Sequence, residues 1–375
     1  MKHDLVLRGG RVIDPSQGVD ATGDVGFSDG KVAEIGERLE GADVRDVSGS
    51  IVTPGLIDLH THVYWGGTSL GIDPLILARG GCTTLVDTGS AGPGNYPGFL
   101  EHVIKPSPVR IIAYLNVSFA GIFGFSKRVM VGESGDLRLM APIDAVEVAR
   151  AHRDTIGGIK VRVGKHASQD SGTVPLDIAL LVAEEVGVPL MVHIDHPPPM
   201  LDEVLIRMRK GDILTHCFRP FPNCPTTAEG GVRASVLDAR RRGVIFDIGH
   251  GMGSFAFATA RTMLANGFIP DCISSDVHAL CIDGPAFDLL TTMSKFVCLG
   301  LPLVDVVRAA TIHPASALQR PDLGTFQKGG AGDASILALD EGAFDYVDST
   351  GEHMEGSSRL RARGVVMGGR WFEGG

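Results

Sequence analysis

Gly55-Leu56-Ile57-Asp58-Leu59-His60-Thr61-His62 is an apolar run that ends in two histidines one residue apart. A Pro54-Gly55 turn precedes it, and Leu56 to Leu59 has the length and composition of a buried strand. Side chains on a strand alternate with a period of two, so His60 and His62 point to the same face. Two imidazoles on one face can share a metal ion. In a chain with 13 histidines such a pair is weak by itself; its weight comes from the later apolar runs that also end in histidine.

From Gly55 onward, apolar strands alternate with amphipathic helices, a pattern that predicts an α/β fold with a parallel sheet and crossover helices. The strand candidates are Leu56–Leu59, Thr83–Val86, Arg110–Asn116, Gly158–Val163, Pro189–Ile194, Ile213–Cys217, Val244–Ile248 and Cys272–Ser275. Helices are expected over Pro175–Val186 and Gly231–Arg242, closed by Gly187 and Gly243. Eight such units close into a (β/α)8 barrel whose active site lies at the C-terminal ends of the strands. Before the barrel, short strands are expected at Asp4–Arg8, Gly10–Asp14, Asp24–Phe27, Lys31–Ile35 and Ser50–Val52. The tail returns to β at Gly332–Leu339 and Arg363–Arg370, and its expected pairing with the N-terminal strands makes a small domain that is discontinuous in sequence. The boundaries read as residues 1–53 and 322–375 for the small domain and 54–321 for the barrel.

The chain has 375 residues, 44% of them hydrophobic, enough for one large core. Its net charge of −10, without a basic block, gives a nucleic-acid role little electrostatic support and points to a small-molecule partner. Six cysteines are scattered without a CxxC pair, and Met1-Lys-His-Asp-Leu-Val has no signal-type apolar run. The expectation is a cytoplasmic protein with reduced thiols and no membrane segment.

Taking the strand ends in turn gives a specific set: His60 and His62 after strand one, Lys160 on strand four, His193 on five, His216 on six and Asp276 after eight. That order, with Pro54-Gly-Leu-Ile-Asp-Leu-His-Thr-His62, resembles the amidohydrolase superfamily. Gly66-Gly-Thr68, Asp87-Thr-Gly-Ser-Ala-Gly92, Asp247-Ile-Gly-His-Gly-Met-Gly-Ser-Phe255 and Ser275-Asp-Val-His-Ala279 make it similar to the dihydroorotase-like amidohydrolase/deacetylase group. The resemblance spans nearly the whole chain and implies a TIM barrel flanked by a β-sandwich, together with a weak tendency to homo-oligomers.

Neutral imidazoles and carboxylates are good ligands for zinc, whereas a protonated lysine is not. The resemblance implies that Lys160 is carboxylated by CO2 and bridges two divalent metal ions, zinc by default. His60, His62, Lys160 and Asp276 would hold the more buried ion, and Lys160, His193 and His216 the more exposed one. The bridging water, its pKa lowered from about 15.7 toward about 7, would attack the substrate carbonyl. Asp276 would carry the proton from it to the leaving group.

His193 is preferred over His196, which already lies in a proline-rich loop, and Lys160 over Lys165, which follows a glycine beyond the strand. Arg162 shares a face with Lys160 and reads either as a fork for a substrate carboxylate or as a structural ion-pair partner. His250 and His278 sit on loops at the catalytic end and read as substrate contacts or as supports of the ligands. Asp58 and Thr61 are placed away from His60 and His62 and left outside the site. Met252, Phe255 and Phe257 line an apolar pocket or pack the next helix, packing being slightly preferred. The expected activity is deacylation of a small acylated acid, an N-acyl amino acid or an O-acyl hydroxy acid. Hydrolysis of a cyclic amide such as dihydroorotate or a hydantoin is the alternative, and a non-catalytic barrel acting in assemblies is the alternative of another class.

Overall fold

Seven parallel strands follow one another in sequence order round a single sheet in the computed structural model, which describes residues 2–373. They are Leu56–Thr61, Cys82–Thr88, Arg110–Asn116, Ile156–Val163, Leu190–Ile194, Ile213–Leu214 and Ile245–Phe246. Their residues are almost all buried, as expected of strands packed on both faces. The expected eighth strand, Cys272–Ser275, is not a regular one. Its segment is held by a parallel bridge from Asp247 to Cys272 on one side and from Thr61 to Val277 on the other. The Ile248 amide donates to the Cys272 carbonyl (3.0 Å) and the His62 amide to that of Val277 (3.1 Å), so the wall closes into a barrel.

Irregularity in this part of the wall has a backbone cause. His216 and Asp276 sit at φ 65° and 48°, and Gly249 at φ 47°. A residue in the left-handed region cannot continue an extended ladder. The strands expected to reach Cys217 and Ile248 accordingly stop at Leu214 and Phe246.

The helix expected from Pro175 runs over Val174–Val186 and buries Leu176, Ala179, Val182, Ala183 and Val186 as one stripe against the sheet. Gly187 closes it at φ 77°, its amide bonded to the Ala183 carbonyl. The helix expected from Gly231 starts later, at Ala234, because an antiparallel bridge between Thr226 and Val232 holds the preceding residues in a loop.

N-terminal and C-terminal strands share one mixed sheet of eight strands. Arg370–Glu373, His353–Met367, Ala334–Val347, Ile51–Pro54, His3–Asp14, Val19–Ser28 and Lys31–Gly36 follow one another across it, and Gly41–Asp46 pairs with His3–Asp14. The two strands expected before Asp14 are one, with a register shift between Leu7 and Gly10. Leu7, Val12, Phe27, Val52, Ile336 and Val366 fill its buried face, each contributing about 1.5–3 kcal/mol by leaving water. The tail hairpin carries its tip to the catalytic end of the barrel. There Asp348 accepts from the Phe257 amide (2.8 Å), and the Ser349 hydroxyl both accepts from the Phe255 amide and donates to its carbonyl. Among the described residues no helix is long and apolar enough to cross a membrane.

Candidate metal centre

His60 and His62 leave the end of the first barrel strand side by side, and Asp276 reaches them from the segment that closes the wall. The Nε2 atoms of both histidines lie 3.2 Å from Asp276 Oδ1. Behind His60, Nδ1 lies 2.8 Å from Thr215 Oγ1, and the Thr215 hydroxyl donates to Asp247 Oδ2 (2.8 Å). With its proton so committed, Thr215 accepts from His60 Nδ1–H, which leaves Nε2 as a bare lone pair facing a carboxylate oxygen. A cation between them removes that repulsion. Behind His62, Nδ1 lies 2.9 Å from Ser90 Oγ. Burial pulls the His62 and His216 imidazoles down to about 3, so both are neutral and fit to ligate.

Lys160 comes from the fourth strand, paired with Asn116 on one side and Met191 on the other. Its Nζ is buried without a hydrogen-bond partner. Burial pulls this amine down to about 7, against the opposing pull of Asp276. His193 Nδ1 and His216 Nε2 are 2.6 Å apart. His216 Nδ1 donates to the Gly249 carbonyl (2.7 Å), so its Nε2 is again a lone pair, and His193 Nε2 is buried without a partner. Orphaned buried polar atoms cost about 1–3 kcal/mol each. Two imidazole clusters and an orphaned amine on one cavity are a donor set that fits a pair of divalent cations.

The turn Gly249-His250-Gly251 makes room for these ligands. A Cβ on Gly249 would lie 2.9 Å from His216 Nδ1 and 3.0 Å from His60 Nδ1, and one on Gly251 would lie 2.2 Å from Asp276 Oδ2.

All six expected metal ligands line this cavity or bond to its walls. Arg162 lines it too, with Nη1 3.1 Å from Glu133 Oε2 in a buried ion pair, the structural alternative of its two readings. His278 lines it with Nδ1 accepting from the Leu280 amide, so its proton sits on Nε2. His250 does not line the cavity, against its reading as a substrate contact. Fully buried and stacked on Phe255, its Nδ1 donates to the Gly251 carbonyl (2.9 Å) and its Nε2 accepts from Lys295 Nζ (2.7 Å). Lys295 also donates to the carbonyls of Pro285 and Val347, tying this turn to the tail hairpin. His196 and Lys165 are exposed beyond the cavity, Phe255 and Phe257 are core, and Met252 lines the outer cleft.

Asp58 needs correcting as well. Alternation puts it on the face of His60 and His62, and there it accepts from the Ser275 amide (2.9 Å) and hydroxyl (2.5 Å), fixing the residue before Asp276. Thr215, Ser90, Asp247 and Glu133 were also missed. Ser90 and Asp247 stood in motifs already quoted, whereas nothing in Thr215 or Glu133 alone marked them.

A profile of the amidohydrolase family matches residues 256–371. A deacetylase from Agrobacterium fabrum is 34% identical over 344 residues, 91% of this chain and 84% of that protein. The chain belongs to the amidohydrolase family. A second deacetylase, from Brucella anthropi, matches this amidohydrolase at 34% identity over 354 residues, 93% of the chain and 87% of the relative. Among solved structures, an adenine deaminase superposes with a TM-score of 0.91 at 28% identity, covering 99% of this chain and 100% of the other. A dihydroorotase follows at 0.90 and 32%, covering 99% of both. The amidohydrolase is thus a hydrolytic enzyme acting on carbon–nitrogen bonds, on a barrel of the TIM type.

Proposed function

We propose that this amidohydrolase is a metal-dependent deacylase of small acylated acids, cleaving the amide of an N-acyl amino acid or the ester of an O-acyl hydroxy acid. The observation that carries this reading is the match, over 91% and 93% of the chain, to two proteins named deacetylase. His60, His62 and Asp276 would hold one cation and His193 and His216 the other. Lys160 joins them once its neutral amine has added to carbon dioxide. That addition forms an N–C bond, releases one proton and turns a would-be cation into an anionic ligand, and the lowered pKa of the buried amine favours it. Two divalent ions, zinc matching the donor set best, supply a Lewis acid for the carbonyl and an acidified water when bound. Asp276 takes the proton of the attacking water on its carboxylate and gives it to the departing nitrogen or oxygen. His278 presents its Nε2–H to the substrate carbonyl.

A second reading, opening of a cyclic amide, is supported by the likeness to the dihydroorotase structure over 99% of both chains. The non-catalytic reading has no support, since every expected ligand position carries a ligating side chain. Acid release by the zinc-loaded enzyme, measured across D- and L-N-acyl amino acids, O-acetyl hydroxy acids and cyclic ureides including dihydroorotate, separates the two. Turnover confined to the linear acyl compounds is the expected result; turnover confined to the ureides would replace deacylation by ring opening.

A further inference from the structure

Outward from the ligands the cavity continues into a cleft of about 320 Å³, a size that takes a small molecule. His193, Asp276 and His278 form its inner end. Two buried guanidinium groups stand on its wall, and they differ in one respect. Arg162 is matched by the buried carboxylate of Glu133. Arg219, only 4% exposed, has no carboxylate within ion-pair distance among the described residues. Its Nη1 donates to the main-chain carbonyls of Ile194 (2.9 Å) and Asp195, and its Nε is buried with no partner at all.

Asp195 is close enough for its charge to favour the Arg219 cation, but its carboxylate makes no ion pair with it. Its carboxylate oxygens accept from the amides of His166 (3.2 Å) and Ala167 (3.1 Å). Burial pulls the Arg219 guanidinium down to about 10, which still leaves it charged at neutral pH. A buried cation with no carboxylate in contact is costly unless something anionic comes to it, and the cleft it lines shares Arg162, His193, Asp276 and His278 with the cavity of the candidate ligands. Met130, Val131 and Met252 supply an apolar patch on the same cleft.

We infer that Arg219 binds the carboxylate of the substrate, while Met130, Val131 and Met252 receive an apolar substituent on the carbon that carries it. The scissile carbonyl then lies at the His193 and Asp276 end. This deepens the deacylase reading and rests on it for the substrate class: an acylated acid with an apolar side chain, bound as its anion.

The test compares wild type, Arg219→Gln and Arg219→Lys, all zinc-loaded. Kinetics use N-acetylphenylglycine and its carboxamide. In Arg219→Gln the preference for the acid over the amide, as a ratio of kcat/KM, falls about 10- to 100-fold, mostly through KM of the acid, and Arg219→Lys restores part of it. An unchanged ratio overturns the inference. Calorimetric titration with phenylacetate and phenylacetamide is independent of any turnover. Loss of at least about tenfold in phenylacetate affinity in Arg219→Gln is expected; equal binding by both proteins overturns the inference, whatever the kinetics. If neither acyl compound is turned over while phenylacetate binding still depends on Arg219, the deacylase reading fails and the anion site stands. Arg219→Gln also removes the bonds to Ile194 and Asp195, so a poorly folded variant is replaced by Arg219→Lys, for which a reduced preference for the acid is expected and an unchanged one overturns the inference.

Discussion

The two halves of the barrel wall present their ligands by different means. From Leu56 to Ile194, five parallel strands of five to eight residues carry His60, Lys160 and His193, and the strand period alone aims these side chains inward. From Ile213 to Val277 the wall is two strands of two residues each and a pair of bridges. His216 and Asp276 are aimed there by left-handed backbone, held in place by side chains such as Asp58 and by glycines that leave space. Regular structure is enough to direct a ligand from a straight strand. Where the chain must turn sharply, neighbouring side chains take over that task, and strain is held where the chemistry happens.

Removing Lys160 tests the regular half and has the largest expected effect. In Lys160→Ala the strand persists while metal content and turnover both fall, turnover by about 10³-fold or more. Elemental analysis and kcat measured on the same sample check this, and unchanged activity would mean that another lysine serves. Asp276→Asn probes the broken half without altering its shape. Much of the metal is retained and kcat falls about 10²- to 10⁴-fold, the range for loss of a general acid–base; near-full activity would remove Asp276 from proton transfer. Gly251→Ala asks whether the left-handed turn itself matters. The new Cβ collides with Asp276 Oδ2 at 2.2 Å, at a φ of 53°. A loss of about 1–3 kcal/mol in stability and a smaller loss in kcat follow. Gly231→Ala, whose nearest neighbour would be Thr227 Oγ1 at 3.5 Å, is the control. Equal melting temperatures for the two variants would show that the left-handed turn tolerates a side chain and is not what holds Asp276 in place.

The same contrast explains what could be read from the sequence. His60, His62, His193, His216 and Asp276 were legible because each sits at or just past the end of an apolar run, whatever the backbone does next, and Lys160 because it is a charged side chain inside one. The shortness of the later strands was not, since a left-handed φ at His216 or Asp276 leaves no mark on hydrophobic periodicity. Gly41–Asp46 was not legible because five of its six residues are exposed and no alternation marks them; it pairs in parallel with His3–Asp14. Asp58 shares the parity of His60 and His62, so the period of two puts it on their face, against the expectation. His250 looked like a catalytic-end histidine, but the lysine that turns it inward lies 45 residues away. Arg219 carried no signal, because an unmatched charge shows only once the acids that do not reach it have been placed.

The reach of the tail hairpin has a consequence for how the protein is made. Every candidate ligand has been synthesised by Asp276, yet the Val347 carbonyl that holds Lys295, and through it His250, is still more than 70 residues away by the numbering. The Asp348 carboxylate that accepts the Phe257 amide comes later still. A nascent chain can assemble its ligand strands early, but the turn that carries Gly249 and Gly251 gains its outer support only when synthesis is almost over. A chain that stopped short of Val347 would carry every candidate ligand and a loosened catalytic turn.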